Sequence, residues 1–196
     1  MAMRTQLLLL SGIALCGVAW AGEDLGDAPG FSAQSLKYEE GNKDRAQELQ
    51  VYLSPDGKRI EGIPPRGVTM VSPADESQRY LVVESEQVFA VDASQERGER
   101  LGGLLAHEPC QGFPESERIG SGQVDGRDTQ KWECTHPEFG EVTQWFDTDL
   151  NTVIKDRAEN GQIEELRDIQ VGPQEKNLFR FEPGEDYQRV TPLQLF

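Results

Sequence analysis

The chain has 196 residues, with 35 acidic against 19 basic side chains and a formal net charge of −16. A field of that sign repels phosphate backbones and anionic lipid headgroups, which argues against nucleic acid as a partner. It would favour cations or a basic protein, while the simpler reading is that acidic residues keep an exported protein soluble. The length suits one domain with a real core.

Met1 to Gln6 carries one cation, Arg4; Leu7 to Val18 is an almost unbroken apolar run, and Ala19-Trp20-Ala21 ends it with small residues at −3 and −1. Charge, apolar core and A-x-A site together predict a cleavable signal peptide over residues 1–21 and export to the periplasm. The run is shorter than the roughly 20 residues a permanent anchor needs. Lipid attachment at Cys16 is the rival reading, and Leu15 before it is too large for that processing site. Cleavage removes Arg4 and leaves 18 cations against 35 anions, a net charge of −17 on residues 22–196. No other long apolar segment occurs, so no transmembrane segment is expected after cleavage.

A flexible start is expected over residues 22–30, rich in Gly and Asp. Leu49, Val51 and Leu53 then alternate with polar neighbours, and Ser54-Pro55-Asp56-Gly57 reads as a turn. Lys58 to Ile63, Val68 to Val71, Tyr80 to Val83 and Val88 to Val91 follow as short strands divided by turn residues, the signature of an antiparallel meander. Residues 96–106 break the rhythm. Leu101, Leu104 and Leu105 share a helical face, so a short helix is expected there, a lid or a crossover, despite three glycines. Arg118 to Val124 and Arg127 to Thr135 flank Asp125-Gly126, a strong hairpin signal. Glu141 to Phe146 and Thr152 to Ala158 form the next pair, and Asn160-Gly161 leads into Gln162 to Val171. In this last run Ile163, Leu166 and Ile169 also fit a helical stripe; the preceding turn decides for a strand.

Cys110 and Cys134 are the cysteines of the mature chain, and an oxidising compartment favours one disulfide between them. His107 and His136 flank them, so His107, Cys110, Cys134 and His136 form an alternative zinc set. That set needs reduced thiolates, against the compartment. No nucleophile motif, phosphate loop or dinucleotide fingerprint occurs, which argues against an enzyme and for no cofactor. Asp147-x-Asp149-x-Asn151 opens like a calcium loop, but Thr152 and Ala158 stand where its glycine and closing glutamate belong, so a turn is expected. Trp132, Trp145 and Phe146 suit either core packing or an apolar pocket.

Several segments, in order, resemble one family. They are the opening Phe31-Ser32-Ala33-Gln34, the hairpin at Ser54-Pro55-Asp56-Gly57-Lys58, the Val88 to Val91 strand, the paired strands of Gly120 to Trp132, the Trp145-Phe146-Asp147 through Asn151 step, and Leu178 to Tyr187 with its F-x-F…P-G…Y pattern. Over residues 31–190 the chain resembles the superfamily of the periplasmic outer-membrane lipoprotein carrier LolA, in its uncharacterised exported branch. The resemblance implies a mainly β (α+β) domain: a single curved antiparallel sheet, an open half-barrel with one or two short helices over its concave face. It departs from the carriers in its short apolar runs, its few aromatics and its paired cysteines.

The expected function is a non-enzymatic periplasmic binding or carrier protein for a lipid, acyl chain or lipoprotein. Leu36, Tyr38, Val51, Leu53, Trp132 and Phe146 are the candidates for the ligand lining. The alternative is a structural or interaction protein of the envelope, with a self-filled core and a basic protein partner.

Overall fold

The computed structural model describes residues 29–92, 103–137 and 140–196. The expected signal peptide and most of residues 22–30 lie outside the described residues. Within them the chain forms one sheet of twelve strands: β1 (Phe31–Glu39), β2 (Gln47–Ser54), β3 (Gly57–Ile63), β4 (Val68–Pro73), β5 (Arg79–Val83), β6 (Val88–Asp92), β7 (Glu115–Val124), β8 (Arg127–His136), β9 (Gly140–Asp147), β10 (Thr152–Ala158), β11 (Gln162–Val171) and β12 (Gln188–Arg189). The order across the sheet is β12-β6-β5-β4-β3-β2-β1-β11-β10-β9-β8-β7. Two meanders, β2–β6 and β7–β11, thus meet at β1, which pairs with β2 on one side and β11 on the other. Every pair is antiparallel except β12 with β6.

The meander expected from the alternating runs is present, and its turns have the chemistry their residues predict. Asp125 and Gly126 have φ of 52° and 75°, and Gly161 has φ of 82°, the left-handed backbone that tight hairpins need. The sheet does not close, and it curls at the β7 end. Four strand spacings separate β11 from β7, about 19 Å on a flat sheet. Yet the Asp125 carboxylate at the β7–β8 tip accepts a hydrogen bond from the Ile169 N–H of β11 at 3.1 Å.

The helix expected over residues 96–106 falls mostly outside the described residues; the part described, from Gly103 to Ala106, holds turn conformation. Helical structure among the described residues is confined to four 3-10 turns, at Lys43–Arg45, Glu84–Glu86, Lys176–Phe179 and Pro192–Gln194. In that described part the chain is irregular: Gly103 lowers helix propensity, and Leu105 takes a φ of 71°, outside the helical region.

The main apolar cluster joins Phe31 and Ala33 of β1, Val51 and Leu53 of β2, Ile154 of β10 and Leu166 of β11 to Leu105, Val124 and Leu150. A second cluster at the other end holds Val68, Leu81, Val83, Ala90 and Leu195. The C-terminal segment reaches both sides of that end. Phe181 packs at tilted and edge-on angles against Tyr80, Phe89 and Tyr187, and β12 then lies along β6 before Leu195 inserts.

Candidate functional site: the covered face of the curved sheet

β10 pairs with β11 over Lys155–Arg157. At Val153 the ladder partner is different: the Leu105 N–H donates to the Val153 carbonyl at 2.9 Å, and the Val153 N–H donates to the Ala106 carbonyl at 2.8 Å. Residues 104–106 therefore take the backbone groups that β11 leaves unpaired, which satisfies the accounting buried amides demand. Leu105, 3% exposed, joins the main cluster from this position.

Two further anchors hold the segment. The Asp156 carboxylate accepts the Leu104 N–H at 3.0 Å. Burial pushes this carboxyl up to about 7, the neighbouring Glu164 adds to the shift, and the backbone N–H groups of Leu104 and Glu164 oppose it. Beyond it, Cys110 and Cys134 form the expected disulfide, with an S–S distance of 2.01 Å. The Cys110 N–H donates to the buried Gln144 side chain at 2.7 Å. The bond removes both thiolates from the alternative zinc set of His107, Cys110, Cys134 and His136. Among the described residues no group of three His, Cys, Asp or Glu is placed to hold a metal.

The six lining candidates do not converge. Val51 and Leu53 point into the main cluster. Leu36 and Tyr38 share the opposite face of the sheet: Leu36 lies across from Glu48 of β2, one residue out of phase with Leu49, Val51 and Leu53. Trp132 and Phe146 belong to a third, small cluster with Ala106 and Val153, directly beneath the cover. The Trp132 Nε1–H is buried there without a hydrogen-bond partner among the described residues. A polar groove of about 550 Å³ lies elsewhere, on the β7–β8 hairpin between Arg118, Ser121, Gln123, Asp128 and Thr129.

The face that carries Leu36 and Tyr38 is built around a buried carboxylate the sequence did not single out. Glu165 of β11 is fully buried and bonded by Lys43 at 2.7 Å, Lys155 at 3.0 Å and Arg167 at 2.7 Å. Burial alone would raise its carboxyl; the hydrogen bonds from Lys43, Arg167 and Lys155 outweigh that and hold it at about 2. Partial burial, and next the hydrogen bond to Glu165, push the half-buried Tyr38 hydroxyl beside it up to about 12. Lys43 stands 5.6 Å from the Tyr38 ring, and Lys131 and Lys155 stand 5.3 and 5.2 Å from the Trp145 ring. The three ion pairs of Glu165 tie β10, β11 and the Lys43–Arg45 turn to one another. The calcium-like segment is likewise consumed internally. The Asp147 carboxylate pairs with Arg127 and caps the turn, accepting the N–H groups of Asp149 at 2.9 Å and Leu150 at 3.0 Å.

No protein-family model and no curated protein matches the chain by sequence. Solved structures do resemble it. An uncharacterized conserved protein from Thermus thermophilus has a TM-score of 0.55 at 12% identity, over 84% of this chain and 91% of that one. MucB in complex with MucA(peri) has a TM-score of 0.48 at 14% identity, over 83% of this chain and 57% of that one. The LolA superfamily protein NE2245 from Nitrosomonas europaea has a TM-score of 0.35 at 11% identity, over 82% of this chain and 94% of that one. The Thermus likeness establishes a shared fold and nothing more, and the two lower scores add nothing to it.

Proposed function

We propose that the chain is an exported, non-enzymatic binding protein of the periplasm that shelters a lipid or acyl chain against its curved sheet. The observation that carries this reading is Leu105. It is an apolar side chain supplied to the main cluster by an irregular segment, which rests on the sheet through two hydrogen bonds to Val153 and one to Asp156. A cover held so lightly can lift while the disulfide keeps its far end in place. An acyl chain entering under it would meet Phe31, Leu53 and Leu166 where Leu105 now stands, and burial of each methylene would contribute about 0.8 kcal/mol. A carbonyl or carboxylate head beside Ala106 would give the Trp132 N–H the acceptor it lacks.

Native mass spectrometry of the mature protein, purified from its own periplasm without detergent, tests the reading, with lipid extraction in parallel. A stoichiometric adduct of lipid mass is expected. Leu105→Ala should change its occupancy, and Trp132→Phe should reduce it while the fold stays intact. A clean apo mass would sink the carrier reading.

A second reading rests on a specific observation. Phe31, Val51, Leu53 and Leu166 are already at most 2% exposed, so the core is filled by the chain's own side chains. On that reading the protein acts through its acidic surface on a basic protein partner.

A further inference from the structure

The two ends of the sheet are treated differently. At one end β12 pairs in parallel with Val88 and Phe89 and occupies the β6 edge. At the other, β7 pairs with β8 alone among the described residues. Every residue from Glu115 to Ser121 is exposed, so neither face of this stretch is packed either. A strand placed in this way turns the N–H and C=O of alternate residues outward, a template for one more strand.

The register says what that strand should carry. Glu117 lies opposite Glu133, and Glu115 lies opposite Thr135, which in turn lies opposite Glu141. The four carboxylates therefore project from one face at the open end, and among the described residues they take part in none of the ion pairs. Like charges directly opposite, as at Glu117 and Glu133, destabilise a strand pair. The cation on this stretch, Arg118, belongs to the other face, opposite Trp132. A second copy is a poor occupant, because its own β7 would bring the same glutamates to the same face.

We propose that β7 is a strand-addition site for an extended segment of a partner protein with Lys or Arg at alternate positions. Main-chain hydrogen bonds to the open edge supply affinity, and the alternating cations supply specificity. Cations two residues apart stand about 7 Å from each other on one face, the spacing of Glu115 and Glu117. One beside Glu117 also relieves its repulsion from Glu133. The bulge between Arg118 and Gly120 ends the acidic stretch. The site goes beyond the carrier reading and does not depend on it.

The probe is a fluorescein-labelled decapeptide of alternating Thr and Lys, titrated by anisotropy into the whole mature protein, with amide hydrogen exchange on the complex. Saturable binding is expected, with new protection at residues 115–121. It should weaken by about tenfold or more in the Glu115→Gln/Glu117→Gln double variant. The same peptide N-methylated throughout keeps its charge but cannot donate to the edge, and it should not bind. No binding by the parent peptide overturns the proposal. So does equal binding of the N-methylated peptide, or protection that appears elsewhere, since either would reduce the contact to charge attraction. Lipid content of the purified protein has no bearing on these outcomes, so the two readings fail separately.

Discussion

Glu165 and Asp156 lie on neighbouring strands with their carboxyls shifted in opposite directions, and this gives the protein two pH dependences of opposite sign. Glu165 sits at about 2, below the ordinary carboxylate range, because three cations bond it. Its contribution is fully present above about pH 4.5, the ordinary value, and is lost as the pH falls towards 2. Asp156 sits at about 7, so between about pH 4 and 7 the folded chain binds more protons than the unfolded one, and stability falls as the pH rises through that window. Glu165→Gln should therefore cost about 2–3 kcal/mol at pH 7, discounted for partly exposed cations, with the deficit shrinking below pH 4.5. Asp156→Asn keeps an acceptor for Leu104 and should be neutral near pH 4 but stabilising at pH 8. Urea unfolding of both variants across pH 3–8 checks this. Parallel curves would mean that neither carboxyl is shifted in the folded protein.

At the scale of elements, the 103–113 segment depends on its disulfide. In the chain-entropy picture, closing the 24-residue separation of Cys110 and Cys134 stabilises the fold by about 3 kcal/mol. Cys110→Ala/Cys134→Ala should lower stability by that amount. It should also raise amide exchange at Leu105 and Val153, because the cover then hangs on its hydrogen bonds alone; unchanged exchange there would mean the cover is held by its apolar contacts. The strands were legible in the sequence because turn residues punctuate them: Asp125-Gly126 and Asn160-Gly161 stand where the chain reverses. β11 was ambiguous for a physical reason. It lies inside the sheet with both faces covered, so Ile163, Glu165 and Leu166 are all buried and the alternation is blurred; the φ of 52° at Asp168 then shifts the phase before Ile169. β1 is hard to read from its residues because small ones, Ala33 and Ser35, fill two of its four buried positions and the adjacent Ser35 and Leu36 are both buried, which breaks the alternation. The candidate lining was less legible than the strands. Leu36 and Val51 each alternate correctly along their own strands, and only the β1–β2 register places them on opposite faces. Glu165 had no signal at all, one carboxylate among 35 acidic residues.

The whole molecule has to protect a long open sheet, and its C-terminal segment supplies much of that protection. Phe181 packs on Tyr80 and Phe89, β12 occupies the β6 edge, and Leu195, with 0% exposure, completes the cluster of Val68, Leu81, Val83 and Ala90. A Thr191–Gln194 capping box closes the final 3-10 turn and aims Leu195 inward, while Leu193, two residues earlier, is 92% exposed. The two leucines thus form an internal control of equal chemistry and opposite burial. Leu195→Ala removes a plug from a packed interior and should cost about 2–4 kcal/mol; Leu193→Ala should stay within about 0.5 kcal/mol. Loosening Leu195 also frees β12, so the Leu195→Ala protein should associate as its concentration rises, through the uncovered β6 edge. Thermal unfolding and light scattering on the two variants measure both effects. Equal stabilities would mean that the C-terminal segment follows the sheet without securing it, and the β6 edge would then need some other protection.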